Sequence, residues 1–236
     1  LGGLGDPDSG TVGDPDGGNQ PSPDATPLED VHHVALAQEY LGSEDVRISD
    51  TVTIDTTQLS VSAGGPAALV PMQAQPDGSG PELAIIHVRD LVIDGTLRAT
   101  GSRPLVILAR TIRIDGLLDV GARRGTPGAG GSGPGSGDGR GGDGQRHGTF
   151  FDTGGGGGGF ARDGGLGGND GAGDGARGRS YGDAMLTALV GGSGGGSSDG
   201  DCSEGPAGAG GGAVQLYASV TIAIGASGGI NAGGGG

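Results

Sequence analysis

Apolar residues alternate with polar or small ones in short runs, and the runs recur. Leu91-Val92-Ile93-Asp94-Gly95-Thr96-Leu97-Arg98-Ala99 superposes on Ile112-Arg113-Ile114-Asp115-Gly116-Leu117-Leu118-Asp119-Val120 at an offset of 21, Ile-Asp-Gly falling on Ile-Asp-Gly. Val52-Thr53-Ile54-Asp55, followed by Leu59-Ser60-Val61-Ser62-Ala63-Gly64, fits the same scheme with two extra residues at the turn. Residues 214–234 fit it again through Val220, Ile222, Ile224, Ile230 and Ala232. Alternation with a period of two marks half-buried strands. The inward positions are mostly β-branched (Ile48, Val52, Ile54, Val88, Ile93, Ile107, Ile112, Ile114, Ile222, Ile224), which suits a pleated surface better than a helix. Units of about 20 residues with Gly or Asp turns are too small to bury their own apolar side chains and must stack. The pattern predicts an all-β parallel β-helix of period about 21; a β-sandwich, the rival, does not require a fixed tripeptide repeat.

The alternation lapses between Gly121 and Gly212, where 39 of 92 residues are glycine, so this stretch reads as an insertion into the repeat. Gly133, Gly135, Gly137, Gly139 and Gly141 recur at every second position, which excludes collagen's period of three. Residues 164–172 imitate a calcium-binding nonapeptide once, with Asn169 where Asp is required and Gly171 at the apolar position. A phosphate cradle is set aside because the chain has no lysine. The tract is then either a disordered loop or a set of extended, polyproline-II-like threads bonded backbone to backbone. Order is the expectation, because Phe150, Phe151, Phe160, Tyr181, Met185, Leu186, Leu189 and Val190 are spread through it as anchors and residues 183–190 lack glycine.

These readings divide the chain into an acidic Gly/Pro arm (1–26), a capping helix (27–42), β-helix coils (43–121), the glycine-rich insertion (122–212) and a resumed coil truncated at its C-terminus (213–236). In the arm, Gly5-Asp6-Pro7-Asp8-Ser9-Gly10 returns as Gly13-Asp14-Pro15-Asp16-Gly17-Gly18, a composition that builds no core. Asp6, Asp8, Asp14 and Asp16 are the candidate ligands for Ca²⁺, a hard cation, although the longer alternation and terminal Glu of an EF-hand loop are missing and a plain linker is the simpler reading. Thr26-Pro27-Leu28-Glu29 has the form of a capping box with proline at the first helical position, and Leu28, Val31, Val34 and Leu41 share one helical face that would cover the open N-terminal coil. His32 and His33 would point about 100° apart on that helix, a poor arrangement for gripping one metal.

Charge narrows the partners. All 13 basic residues are Arg against 28 Asp and Glu, giving a net charge of −15, so neither nucleic acid nor an anionic membrane surface is an expected partner. No apolar run is long enough to span a bilayer. No leader is recognisable from Leu1 onward, so a targeting segment would have to lie outside these residues. Cys202, the single cysteine, sits among acidic residues that disfavour a thiolate and would have to pair outside this chain. Asp55, Asp94 and Asp115 would form a ladder at about the 4.8 Å strand spacing. Each belongs to a turn in which Asp bonds its own backbone, and no His or Lys accompanies them, so no catalytic residue is assigned. His87 and His147 stand in separate contexts.

Residues 111–125 and 210–234, with coils reading Ile-x-Ile-Asp-Gly-x-Leu-x-Ala/Val and a return through Gly-Gly-Gly-Ala-Val-x-Leu, resemble the glycine-rich parallel β-helix surface and secreted proteins of bacteria. The tract is also similar to polyglycine segments of phage tail-tip adhesins and of anaplastic-lymphoma-type receptor kinases. The resemblance speaks to architecture and hardly to activity; with no catalytic constellation in the residues, the expected function is a non-catalytic extracellular structural protein, a cell-surface or fibre component assembled from stacked units, with no cofactor beyond the calcium candidate. A homo-oligomer or fibre is the expected assembly. The alternative is an adhesin whose tract presents Phe160 and Tyr181 to a cell-surface glycan or protein, and a polysaccharide-degrading enzyme comes third.

Overall fold

The computed structural model describes residues 33–34, 42–66, 69–73, 75, 80–147, 151–168, 175–183, 185–198 and 205–235. Alternating segments pair as the period-two pattern requires. One sheet is built from β1 (Asp45–Ile48), β4 (Leu69–Gln73), β5 (Leu83–His87), β6 (Asp90–Ile93), β8 (Leu105–Ile114) and β12 (Val214–Ile224), in the order β1-β6-β8-β5-β4 with β12 also on β8. The second runs β13-β9-β7-β2-β3, from Gly229–Asn231, Leu117–Asp119, Thr96–Thr100, Thr51–Asp55 and Ser60–Val61. Two short strands, β10 (Arg146–His147) and β11 (Phe151–Asp152), form an antiparallel pair of their own. Both large sheets contribute to one core: Ile48, Leu91, Ile93, Ile112 and Ile114 from the first meet Val52, Ile54, Leu97, Ala99 and Leu118 from the second.

The expectation of a parallel β-helix of period 21 with an N-terminal capping helix is corrected. Both sheets are mixed. β3 turns back antiparallel on β2, and β4 lies antiparallel on β5. The first return is made at a turn where the Asp55 carboxylate accepts the backbone N–H of Thr57 (2.8 Å) and Gln58 (3.0 Å) and Leu59 takes a positive φ of 52°. A hairpin return reverses the strand, which a uniform coil cannot contain. Nor is the spacing uniform: 45 residues separate Val46 from its partner Leu91, 21 separate Leu91 from Ile112, and 110 separate Ile112 from Ile222. The offset of 21 describes a single step. The strand equivalent to β6 is also not 52–55 but β1, since Ile48 pairs with Ile93 and Asp55 with Thr100. No helix occurs among the described residues, and of the segment 27–41 only His33 and Val34 are described. Val34 does not lie over an open end; it joins Leu83, Ile85, Val106, Leu108, Leu189, Ala213 and Tyr217 in a second cluster against β5 and β8. Covered on both faces, β5 and the first half of β8 are buried at every residue.

Between β9 and β12 the chain packs with hardly any side chains. Gly154–Gly159 run through the middle of four neighbouring threads: Gly154 N–H donates to Gly168 O (3.0 Å), Gly156 to Gly142 O (2.8 Å), Gly157 to Gly165 O (2.8 Å) and Gly159 to Gly139 O (2.7 Å). In return the carbonyls of Gly154, Gly156 and Gly157 accept from Gly175, Gly196 and Gly178. Bonds leaving one thread in several directions make a lattice, where a sheet bonds along two edges only. The close approach explains the composition. A Cβ on Gly156 would stand 2.0 Å from the Ala176 carbonyl oxygen, and one on Gly155 2.1 Å from that of Gly196. The lattice joins the sheets where Leu105 N–H donates to Ala213 O (3.0 Å) and Ala213 N–H to Ala129 O (2.8 Å).

Candidate functional site

The strand register leaves the apolar side chains of β12 and β13 exposed among the described residues. Ile222 and Ile224 of β12 pair with Ile112 and Ile114 of β8, and Ile230 of β13 pairs with Leu118 of β9. Ile112, Ile114 and Leu118 are 0 % exposed, whereas Ile222, Ile224 and Ile230 are 45 %, 54 % and 42 % exposed. The same sequence positions thus point into the core on one rung and into water on the next, because β12 pairs only with β8, and β13 only with β9, among the described strands. Val220, in the bulge between Ala218 and Thr221, extends the apolar row. Natural edges are guarded by charges, proline or bulges. Here a bulge is present, but from Gly205 to Gly236 there is no Asp, Glu, Arg, Lys or His. The alternation of residues 220–224 was visible in the sequence; their exposure was not, because period two is the same on an inner and an outermost rung.

Behind this rung lies a buried carboxylate. Asp119 is 1 % exposed, and its Oδ1 accepts from Asn231 Nδ2 (2.8 Å) and the Gly121 N–H (3.1 Å), while Oδ2 takes Arg123 (2.9 Å) and Arg98. Burial pushes the carboxyl upward, but the hydrogen bonds from Asn231, Gly121 and Arg123 and the charge of Arg98 outweigh it and hold the carboxyl below its ordinary range. With every partner supplied from within, the group binds β7, β9 and β13 together. The aspartates considered for chemistry are also engaged. Asp94 pairs with Arg47 at 2.7 Å, Asp115 with Arg113 at 2.6 Å, and Asp55 bonds its own turn. Asp94 and Asp115 do follow Ile93 and Ile114 on adjacent rungs, but Asp55 stands elsewhere, so the three do not form the expected ladder.

The fold brings Phe160 and Tyr181 together edge to face, with centroids 5.3 Å apart and planes at 85°. Glycines make beds for them: a Cβ on Gly139 would lie 2.7 Å from the Tyr181 ring, and one on Gly182 3.0 Å from the Phe160 ring. The Tyr181 hydroxyl donates to Gly191 O. Burial raises its pKa, opposed by the Ser193 hydrogen bond and reinforced by the charge of Asp138. Both rings are half-buried, so they anchor threads as well as offering an edge to solvent. Of the other expected anchors, Leu189 is buried, but Met185 is 78 % exposed and Leu186 is also turned outward. What fixes this glycine-free run is polar and was not foreseen. Gln75 Oε1 accepts the Leu189 N–H (2.9 Å), and Gln75 Nε2 donates to Leu189 O (2.9 Å) and Pro81 O (3.1 Å). His33 adds a clasp from Nδ1 to Gln215 Oε1 (2.8 Å) and from Nε2 to the Leu186 carbonyl.

The calcium candidates Asp6, Asp8, Asp14 and Asp16, together with Cys202, His32 and Phe150, lie outside the described residues. Among the described residues no three His, Cys, Asp or Glu side chains are placed to hold a metal ion. No described helix is long and apolar enough to cross a membrane. No protein-family model, curated protein or solved structure matches the chain.

Proposed function

We propose that this chain is a non-catalytic extracellular structural protein of a bacterium, a component of a cell-surface layer or fibre that engages its neighbours through the rung formed by β12 and β13. The observation that carries the reading is the row Ile222, Ile224 and Ile230, exposed at positions whose partners one rung earlier are closed in the core, with Val220 of the bulge exposed beside them. Contiguous exposed apolar surface of this kind marks interaction sites. The arginine pairing of Asp94 and Asp115 supports a structural role for those carboxylates. The test is electron microscopy and sedimentation of the purified chain, alongside incubation with acidic polysaccharides. Assembly without turnover is expected. Turnover abolished by Asp94→Asn or Asp115→Asn would replace this reading with an enzymatic one.

A second reading rests on the Phe160–Tyr181 pair, since an aromatic edge fixed on a rigid backbone lattice suits contact with a sugar ring or a protein loop. Glycan-array binding that disappears in Tyr181→Ala while the fold persists would favour it.

A further inference from the structure

We propose that the glycine lattice carries a binding site for a polysaccharide bearing uronate carboxylates, formed by the Phe160–Tyr181 pair and the guanidinium groups of Arg140, Arg162 and Arg179. The inference rests on the second reading above, in which the aromatic edge meets a sugar ring, and adds the charge of the ligand and the residues that read it. Net charge alone argues against an acidic ligand, but the charge is unevenly divided. From Arg123 to Arg179 the chain has seven of its 13 arginines and only six of its 28 acidic residues, so the negative excess lies outside this stretch. The arginines also differ in state. Arg47, Arg89, Arg98, Arg103, Arg110 and Arg113 are each ion-paired. Among the described residues no ion pair or side-chain hydrogen bond engages Arg140, Arg162 or Arg179, and all three are exposed. An unpaired guanidinium keeps its planar fork for a carboxylate, which it grips through two parallel hydrogen bonds.

Thread register sets these groups around the rings. Gly142 N–H donates to Ala176 O (2.7 Å), and a Cβ on Gly139 would stand 2.4 Å from the Arg179 carbonyl oxygen, so the two threads run antiparallel with Arg140 beside Gly178. The same Cβ would lie 2.7 Å from the Tyr181 ring. Phe160 N–H donates to Arg162 O (3.1 Å), and Phe160 O accepts the Tyr181 N–H (2.9 Å). All three cations thus spring from backbone within a few residues of the ring pair. Arg177 shares a thread with Arg179 but not the site. Burial at Gly175 and Gly178 fits a thread of three residues per turn, so the Arg177 side chain leaves about 120° from that of Arg179. Nearby carboxylates are largely spent on the lattice: Asp163 accepts the Ser180 N–H (2.9 Å), and Asp143 the N–H (2.8 Å) and hydroxyl (2.9 Å) of Ser197. Asp138 has no such bond among the described residues, and its charge adds to the burial that raises the Tyr181 pKa, which places it beside the ring. A nucleic acid duplex, with one charge per about 1.7 Å, would run off so small a patch onto the acidic body. Carboxylates spaced by sugar rings can meet the arginines while a ring lies on the aromatic edge.

The test is isothermal titration of the full chain with oligomers of polygalacturonate, alginate and hyaluronate, each beside its carboxyl methyl ester, which keeps the sugar and removes the charge. At least one acid form is expected to bind about tenfold or more tightly than its ester, the worth of a charge-assisted hydrogen bond. Arg140→Gln and Arg179→Gln should each weaken it on the order of tenfold with the thermal transition unchanged. Arg177→Gln, the control, should cost far less, and Asp138→Asn should tighten the acid form but not the ester. Equal losses from Arg177→Gln and Arg179→Gln would overturn the site, since the attraction would then be diffuse. Acid and ester bound equally well would overturn the uronate ligand while leaving the aromatic contact with a sugar standing. Failure of all three acids to bind overturns the proposal, and if neutral glycans also show no binding that Tyr181→Ala removes, the second reading fails with it.

Discussion

At the scale of single residues, Asp119 ties separate parts of the chain together from a buried position. Its partners come from three places: Arg98 on the neighbouring strand, Arg123 beyond the turn, and Asn231 on the last rung. Removing one member of a buried charge pair leaves the other uncompensated. Asp119→Ala is therefore expected to cost about 3–5 kcal/mol in denaturant unfolding, since the Arg98 side chain it abandons is only 13 % exposed. The pH dependence has a definite sign. The folded carboxyl is held below its ordinary value, so its stabilisation is complete above the unfolded pKa of about 3.9 and drains away as pH falls through the lower, folded value. Urea titrations below about pH 4 should show wild type losing stability more steeply than Asp119→Asn. Parallel slopes would mean that the carboxylate titrates alike folded and unfolded.

At the scale of elements, the glycine threads and the glycine-free run behave as opposites. Gly156 and Gly168 belong to bonded threads and neither has a positive φ, yet a Cβ on Gly156 meets a carbonyl oxygen at 2.0 Å and one on Gly168 meets nothing within 4 Å. Gly156→Ala should destabilise by about 1–3 kcal/mol or more through overpacking, and Gly168→Ala should stay within about 0.5 kcal/mol; thermal melts of the pair decide it, and equal losses would refute the lattice. The run 183–190 is held instead by Gln75, whose amide satisfies both the N–H and the C=O of Leu189. Gln75→Ala leaves two buried backbone groups unpaired, at about 1–3 kcal/mol each, and hydrogen exchange in residues 185–190 should accelerate before that of β8. The strands were legible because β-branched alternation, as in Ile112-Arg113-Ile114, depends only on nearest neighbours in sequence. Their arrangement was not. The offset of 21 holds from Leu91 to Ile112 and fails on either side, and nothing local to Ser60-Val61 announces that it folds back on Ile54 and Asp55. Gln75 was equally invisible, since its partner is 114 residues away and is a backbone group. The site residues divide the same way: Phe160 and Tyr181 stood out as rare aromatics, but only the thread packing shows that they touch.

At the scale of the whole molecule, an acidic chain contains one stretch, residues 205–236, without acidic or basic side chains, and that contrast fixes how association through it must respond to salt and pH. Two copies at −15 repel through solvent over distances comparable to the Debye length, about 10 Å at 0.1 M salt. No charged side chain lies in the stretch from Gly205 to Gly236, so salt has no ion pair at the contact to weaken. Raising ionic strength should accordingly tighten association through β12 and β13, by screening repulsion between the acidic bodies while leaving burial of Ile222, Ile224 and Ile230 unaffected or slightly strengthened. Lowering pH from 7 toward the sequence pI of about 4.3 should act in the same direction, because the bodies lose charge and the contact has none to lose. Both are measured as dissociation constants by sedimentation across a salt series and a pH series. A contact made through the acidic or arginine-bearing surfaces would respond oppositely to salt, loosening as its ion pairs are screened, and that result would move the interface away from the last rung.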